Sequence, residues 1–276
     1  MTAPAYALRD GNRIPAIGLG TYGLNEQAGV EAIVSGIADG YRLIDTAYNY
    51  GNEDVVGEAI RRCGVDRSDL MITTKLPGRH HGFEETLASL DESRHRLGLD
   101  WVDLYLIHWP NPRIDKYVDS WRAMIRLREK GLVRSIGVSN FTPAMLDRLE
   151  RETSVVPVVN QVELHPYFPQ EELRAYHAEH EIRTESWSPL AKRTELLKEP
   201  VIASIAAEHG VSPSQVVLRW HVELGSVPIP KSAHAERRRE NFDVFSFSLS
   251  NDEVESISAL SRGRLWGGDP ESHEEF

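Results

Sequence analysis

Short apolar runs alternate with stretches of helical spacing along most of this chain. Beginning with a strand at 15–20, the apolar runs lie at 41–44, 70–74, 102–107, 133–138, 158–162, 182–187 and 226–229. Apolar residues spaced three and four apart predict helices at 26–39, 55–62, 83–97, 118–130, 143–151, 170–180, 201–209 and 213–223. Strands that alternate with helices favour parallel βαβ units.

Eight strands, nearly all separated by helices, predict a (β/α)8 TIM barrel. An N-terminal hairpin is expected before it, with strands at 5–8 and 13–14 around a turn at 10–12. No linker interrupts the alternation. We therefore expect a single barrel domain over 1–276, ending in an irregular, acidic C-terminal loop from about 262 to 276.

Composition narrows the possible classes of function. The chain is 41% hydrophobic and 26% charged, which is typical of a globular protein, and its single cysteine, Cys63, excludes an intramolecular disulfide. A net charge of −11 argues against a nucleic-acid partner. The first residues lack a signal-peptide pattern, and no apolar run is long enough to span a membrane. We expect a cytoplasmic monomer without a membrane partner.

The segment 40–53 carries the first candidate chemistry. The short strand at 41–44 ends in Asp45, and a loop containing Tyr50 leads to a helix with Glu53 in its first turn. The active site of a barrel forms at the C-terminal ends of its strands, so both side chains are expected at the same mouth. Taken alone, a helix-capping aspartate and an ordinary loop tyrosine would explain the segment as well.

Polar or aromatic residues also end most of the other predicted strands. Together, these residues are Asp45, Lys75, His108, Ser139 with Asn140, Gln161 to Glu163, Trp187 and Lys231. Their recurrence at successive strand ends predicts a site at that end of the barrel.

Three of these residues, together with Tyr50, suit a site that donates a proton. A tyrosine hydroxyl has a pKa of about 10, and an ammonium within about 4–6 Å lowers that pKa. Lys75 can play this part for Tyr50, and Asp45 can compensate the buried charge of the lysine. His108 can hydrogen-bond a substrate oxygen. Singly, Lys75 has a simpler explanation as a solvated lysine, and His108 as a half-buried histidine.

Six segments resemble signature segments of the aldo-keto reductases. They are GYRLIDTAYNYGNE (40–53), ITTK (72–75), VDLYLIHWP (102–110), SIGVSNF (135–141), VNQVELHP (159–166) and IPKS (229–232). The short loops make the chain most similar to the prokaryotic branch that contains the 2,5-diketo-D-gluconic acid reductases.

This resemblance implies NADPH-dependent reduction of aldehydes or ketones by hydride transfer. The catalytic tetrad of the family falls on Asp45, Tyr50, Lys75 and His108, with Tyr50 as the general acid rather than Tyr48 because it stands five residues after the aspartate. Small aldehydes, dicarbonyls and sugar-derived ketones are the expected substrates. An alternative on the same fold is an NADPH-binding subunit that senses redox state or serves as a scaffold.

The resemblance also implies cofactor contacts. Ser139, Asn140 and Gln161 would hold the nicotinamide carboxamide, and Trp187 would stack on the ring. Further contacts are expected from Ser188, Leu190, Lys231, Ser232, His234, Arg237, Glu240 and Asn241. Lys231, Ser232 and Arg237 offer donors for a 2′-phosphate, whereas Arg238 and Arg239 are assigned to a solvated helix face. Because His234 stands where a close relative has arginine, the preference for NADPH over NADH is expected to be weaker than usual.

On the substrate side, the resemblance implies a pocket lined by Tyr22, Trp109 and the loop after Lys75. That loop lacks the tryptophan that many relatives carry. For Trp266 two hypotheses stay open, a lid over the substrate and a disordered tail.

Two competing patterns carry less weight. Residues 18–23 match the dinucleotide fingerprint G-x-G-x-x-G, which makes a Rossmann fold the alternative architecture. The proline at position 15 in the preceding strand and the number of strand–helix units argue against it. No metal site is expected, because His80, His81, His177 and His180 are assigned to solvated positions.

Overall fold

The computed structural model describes residues 3–266 and 268–276. Eight parallel strands form one sheet in which each strand pairs with the next in the chain. They are β3 (Gly18–Gly20), β4 (Leu43–Asp45), β5 (Met71–Leu76), β6 (Val102–Ile107), β7 (Val133–Ser139), β8 (Val159–Glu163), β9 (Arg183–Trp187) and β10 (Val227–Pro228). The hairpin β1 (Ala5–Ala7) and β2 (Arg13–Pro15) precedes them and pairs antiparallel.

The segment that directly follows the last strand meets the first strand of the sheet and closes the barrel. The amide of Gly20 donates to the carbonyl of Pro230 at 3.0 Å. A Cβ atom on Gly18 would lie 2.6 Å from Ile229 Cδ1, so a glycine lets the strands approach this closely. The predicted (β/α)8 barrel is therefore confirmed. The Rossmann alternative is wrong, because Gly18–Gly20 is a barrel strand and not a phosphate-binding loop.

Helices surround the sheet. They are α1 (Glu26–Asp39), α2 (Glu53–Arg62), α3 (Phe83–Leu97), α4 (Tyr117–Glu129), α5 (Pro143–Thr153), α6 (Glu171–Glu179), α7 (Pro200–His209), α8 (Pro213–Glu223), α9 (Ala235–Phe242) and α10 (Asn251–Ser258). Their apolar faces bury large side chains against the strands, among them Trp121 and Trp220. None of the helices in the described ranges is long and apolar enough to cross a membrane.

The interior of the barrel is apolar at one end and polar at the other. An apolar cluster that includes Ile14 of the hairpin, Leu43, Leu104 and Val159 fills the end near the hairpin. Each such side chain stabilises the fold by about 1.5–3 kcal/mol relative to an exposed position. Polar side chains are buried toward the opposite end, where the strands finish. Charge is therefore concentrated at the mouth.

Three assignments of solvated side chains are wrong. Arg238 is buried, because its guanidinium donates to a backbone carbonyl at 3.2 Å beneath α9. His177 is buried as well, since its ring lies between the side chains of Asn160 and Thr184, at 3.0 and 2.9 Å. His81 is also buried. Burial of this kind arises where elements that are distant in sequence pack together, and the local pattern around each residue does not reveal it.

Candidate active site

Lys75 lies at the centre of the mouth and is fully buried. Its Nζ atom is 2.6 Å from Asp45 Oδ1, donates to the carbonyl of Thr46 at 2.9 Å and lies 3.5 Å from Tyr50 Oη. Neighbouring strands explain this placement. Asp45 of β4 pairs with Thr73 of β5, and Lys75 follows two residues later, on the same face of β5.

A single turn at Tyr48–Tyr50 brings Tyr50 back over the mouth. Gly51 ends the turn in the left-handed region, with φ 65°, which glycine adopts without strain. Tyr48 lies apart from Lys75, and its hydroxyl donates to Glu92. The structure therefore brings Tyr50 to the lysine, as the sequence predicts, and not Tyr48.

The pKa of Tyr50 is shifted in the direction opposite to the one that the sequence predicts. Burial raises the pKa of Tyr50 above its ordinary value, and nearby Lys75 opposes that shift without outweighing it. Burial also acts to lower the pKa of Lys75, but Asp45 outweighs it, and the net direction is upward. At neutral pH the tyrosine therefore retains its proton beside a charged lysine.

His108 follows β6 and faces Tyr50, with 5.9 Å between the ring centroids. Its Nδ1 atom lies 2.7 Å from Glu275 Oε1, and the side chain is 14% exposed. Within the described part of the chain, neither ring nitrogen forms a hydrogen bond, because the contact between Nδ1 and Glu275 Oε1 has the distance but not the angle of one. The ring therefore has one nitrogen beside a carboxylate and the other available at the mouth.

The expected nicotinamide residues form a connected group. Ser139 Oγ donates to the carbonyl of Gln161 at 2.7 Å, and Asn140 Nδ2 donates to the carbonyl of His108 at 3.0 Å. Trp187 Nε1 donates to Asn140 Oδ1 at 2.8 Å. These bonds join β6, β7, β8 and β9 at one side of the mouth.

Gln161 is oriented by two buried carboxyl groups. Its Nε2 atom donates to Asp45 Oδ2 at 2.8 Å and to Glu185 Oε2 at 3.2 Å. Both amide hydrogens are thus used, and Oε1 has no hydrogen-bond partner in the portion of the chain described. Gln161 Oε1 can therefore accept a hydrogen bond from the NH2 group of a carboxamide.

The remaining expected cofactor residues lie after β9 and β10. Lys231, His234 and Arg237 are exposed, while Ser232 is buried and accepts from the amide of His234 at 3.1 Å. Of the others, Ser188 has φ 50°, Leu190 packs into the core, Glu240 accepts from Ser214 at 2.9 Å and Asn241 is buried. The exposed basic groups are available to a ligand, whereas the carboxylate of Glu240 already has a partner.

The expected substrate residues are covered to different degrees. Tyr22 is 60% exposed and packs edge-on against Tyr50 at 5.2 Å. Trp109 contacts His273, with 4.2 Å between the ring centroids, and Trp266 lies 5.8 Å from Trp187. Residues 263–266 and 268–276 thus reach both sides of the mouth.

A model of the aldo/keto reductase family matches residues 16–262. The chain belongs to this family. It is 60% identical over 273 residues to 2,5-diketo-D-gluconic acid reductase B of Corynebacterium sp. (strain SHS752001), covering 99% of both chains. It is 46% identical over 265 residues to methylglyoxal reductase DkgA of Escherichia coli (strain K12), covering 96% of both. This aldo/keto reductase is therefore an oxidoreductase.

A solved structure extends the likeness to three dimensions. A mutant of Gox0644 in complex with NADPH is 41% identical, with a TM-score of 0.94, and the match covers 99% of this chain and 100% of that one.

For the present aldo/keto reductase, no group of three or more histidine, cysteine, aspartate or glutamate side chains in 3–266 and 268–276 is arranged to hold a metal ion.

Three polar residues of the aldo/keto reductase mouth were not predicted. Glu185 is the one acid inside β9, whose sequence is RTESW. Asn111 directly follows the His-Trp-Pro segment and bonds the backbone of Glu275. Glu275 belongs to an acidic stretch without periodicity. A signal existed for Glu185, since a lone acid in a buried strand needs a partner.

Proposed function

We propose that this protein is an NADPH-dependent carbonyl reductase in which Tyr50 is the general acid. The carrying observation is the buried ammonium of Lys75, which lies between Asp45 Oδ1 and the hydroxyl of Tyr50. Family membership and the likeness to a solved NADPH complex support the cofactor. The arrangement places three groups at the same mouth: a tyrosine that keeps its proton, a charged lysine, and a histidine that can bind the carbonyl oxygen.

NADPH would be held by the donor and acceptor set described above. Ser139, Asn140 and Gln161 would bind the carboxamide, Trp187 would cover the ring, and Lys231 with Arg237 would bind the 2′-phosphate. When bound, the reduced nicotinamide supplies a hydride. The free side-chain oxygen of Gln161 is the feature of this chain that fits the carboxamide.

The residues of the chain then handle the oxygen of the substrate. His108 orients the carbonyl through Nε2, and Tyr50 donates its proton to the oxygen as negative charge develops there. Lys75 stabilises the resulting phenolate at 3.5 Å, and Asp45 holds the ammonium in place. Burial makes each of these electrostatic interactions stronger than it would be in water.

For the substrate we propose small aldehydes, dicarbonyls and sugar-derived ketones. Two relatives are named 2,5-diketo-D-gluconic acid reductase B and methylglyoxal reductase, and both names denote substrates with two carbonyl groups. Tyr22 and Trp109 would contact such molecules beside Tyr50.

The test is the loss of NADPH absorbance with a panel of aldehydes and dicarbonyls, comparing wild type with Tyr50→Phe. We expect turnover by wild type and a loss of roughly 100-fold or more in kcat for the variant, because the proton donor is missing. Tyr48→Phe is the matched control and should retain kcat, since Tyr48 bonds Glu92 and not Lys75.

Two results would overturn the proposal. Equal turnover by wild type and Tyr50→Phe would exclude Tyr50 as the acid. A wild type that binds NADPH but reduces nothing in the panel would instead indicate the redox-sensing or scaffold role.

A further inference from the structure

The carboxylate of Glu275 is held inside the mouth. Its Oε1 atom lies 2.7 Å from His108 Nδ1 and accepts from Asn49 Nδ2 at 2.8 Å, and Oε2 accepts from the amide of Gly78 at 3.2 Å. The side chain is only 14% exposed. Three elements therefore converge on this carboxylate, namely the loops that follow β4, β5 and β6.

The backbone around Glu275 is fixed as well. Asn111 Nδ2 donates to the carbonyl of Glu275 at 2.6 Å, and the amide of Glu275 donates back to Asn111 Oδ1 at 3.2 Å. The amide of Arg113 donates to Glu274 Oε1 at 2.7 Å. A Cβ atom on Gly78 would lie 2.1 Å from the Glu275 carbonyl oxygen, so the contact requires glycine there. The position of the carboxylate is thus determined by several independent bonds.

A carboxylate beside one ring nitrogen decides where a histidine carries its hydrogen. The negative charge 2.7 Å from Nδ1 favours the hydrogen on that nitrogen, although the contact has the distance of an ion pair and not the angle of a hydrogen bond. A neutral ring then presents an Nε2 lone pair, which accepts a hydrogen bond but donates none. A protonated ring presents an Nε2–H group, and the carboxylate compensates its charge.

We propose that Glu275 is a positioning residue that fixes His108 as the Nδ1–H tautomer and so separates the two directions of the reaction. The protonated ring donates from Nε2 to a carbonyl oxygen and serves reduction. The neutral ring accepts at Nε2 from an alcohol hydroxyl and serves oxidation. This inference rests on the proposed role of His108, through which Glu275 would act.

The neighbouring charged and titratable groups leave this assignment intact. Burial acts to raise the pKa of Glu275, but the contacts with His108, Asn49 and the Gly78 amide outweigh it and lower the pKa. Burial lowers the pKa of His81 to about 4, so this nearby ring is neutral at working pH, and Lys116 adds to the shift. Beyond these groups, Tyr50 feels the Glu275 charge, and Arg79 bonds Asn49. Glu275 is therefore an anion throughout the neutral range.

The test compares Glu275→Gln with the matched control Glu274→Gln. A glutamine amide can accept from Nδ1 or donate to it, so it no longer fixes the tautomer. For Glu275→Gln we expect kcat/KM for reduction at about pH 6 to fall roughly 10- to 100-fold, with an unchanged Kd for NADPH. The opposed pH dependences of reduction and oxidation should also flatten. Glu274→Gln keeps its acceptor for the Arg113 amide and should behave as wild type.

A second measurement does not depend on turnover. Nitrogen-15 spectra of the imidazole rings, with the His108 signals assigned by their loss in His108→Asn, report which nitrogen carries the hydrogen. We expect Nδ1–H in the neutral ring of wild type and a shift toward Nε2–H in Glu275→Gln.

The outcomes separate the two proposals. Wild-type turnover combined with an Nε2–H tautomer, an unchanged pH profile in Glu275→Gln, or faster reduction by that variant would overturn the inference alone. Faster reduction would mean that the carboxylate obstructs the mouth. A wild type without turnover would overturn the proposed function, and this inference with it.

Discussion

At the scale of single residues, two buried carboxyl groups at the mouth accept hydrogen bonds from the same glutamine. Asp45 and Glu185 both accept from Gln161 Nε2, and Lys75 directly neutralises Asp45. Burial raises the pKa of Glu185 to about 8, and repulsion from Asp45 adds to the shift. Glu185 is therefore mostly protonated at neutral pH, and a single negative charge faces the lysine.

A stability measurement tests this protonation. The folded protein keeps the Glu185 proton up to about pH 8, whereas the unfolded chain loses it near pH 4.5. The contribution of the neutral carboxyl is present at low pH and is lost as the pH rises through that window. Glu185→Gln should therefore gain stability relative to wild type between about pH 5 and pH 8, by no more than ~5 kcal/mol.

Urea unfolding at both pH values checks this prediction. Glu208→Gln, at an exposed position, is the control and should show no pH-dependent difference. A constant difference between Glu185→Gln and wild type at the two pH values would show that Glu185 is ionised in the folded protein.

Some residues of the site could be predicted from the sequence, and others could not. Asp45, Lys75 and His108 could be found because a strand end fixes the location of a side chain before any contact is known. Glu275 could not be found, because it meets Asn111 across 164 positions of the chain. Lys75 was expected to dominate the pKa of Tyr50, but burial does, and the depth of burial depends on the assembled barrel.

At the scale of elements, close approach between helices depends on glycine. A Cβ atom on Gly57 of α2 would lie 2.2 Å from the carbonyl oxygen of Leu97, at the end of α3. That neighbour is backbone and cannot rotate away. Gly57→Ala should therefore destabilise the protein by about 1–3 kcal/mol, measured by urea unfolding.

The sign of the change makes this experiment decisive. In a helix without such a contact, alanine is better than glycine by about 1 kcal/mol, so stabilisation would contradict the prediction. Glu58→Ala is the neighbouring control. It is 44% exposed and should change stability by no more than about 0.5 kcal/mol.

The strands and the helices α1 to α8 were predictable because their apolar periodicity is strong. Helix α10 was missed although Ser250 and Glu253 form a capping box at its start. Ile257 is its one buried residue among those described. The helix therefore lacks the repeated apolar positions from which a helix is predicted. Caps mark where a helix begins, whereas buried faces show that one exists.

At the scale of the whole molecule, an acidic protein carries an exposed basic patch, which we propose as the binding site of the 2′-phosphate. The chain carries a net charge of −11, yet Lys231 and Arg237 are exposed just after the last strand. The patch must therefore act locally, through hydrogen bonds and short-range attraction, rather than through the overall field.

Arginine substitutions test the patch. Arg237→Ala should raise the Kd for NADPH roughly 10-fold and leave the Kd for NADH unchanged, because only NADPH carries the 2′-phosphate. Fluorescence titration measures both constants. Arg239→Ala, at another exposed position of α9, is the control and should bind both cofactors as wild type does. An equal loss of affinity for the two cofactors would place Arg237 elsewhere on the dinucleotide.

The apolar floor of the barrel has a consequence for the route of the proton. The end beneath Lys75 is filled by Ile14, Leu43, Leu104 and Val159. In the proposed mechanism, a proton that replaces the one donated by Tyr50 therefore has to arrive from the mouth. The alcohol leaves through the same opening. In the proposed mechanism, return of the proton and release of the alcohol therefore use the same opening, which residues 268–276 partly cover through contacts with Asn111 and Trp109.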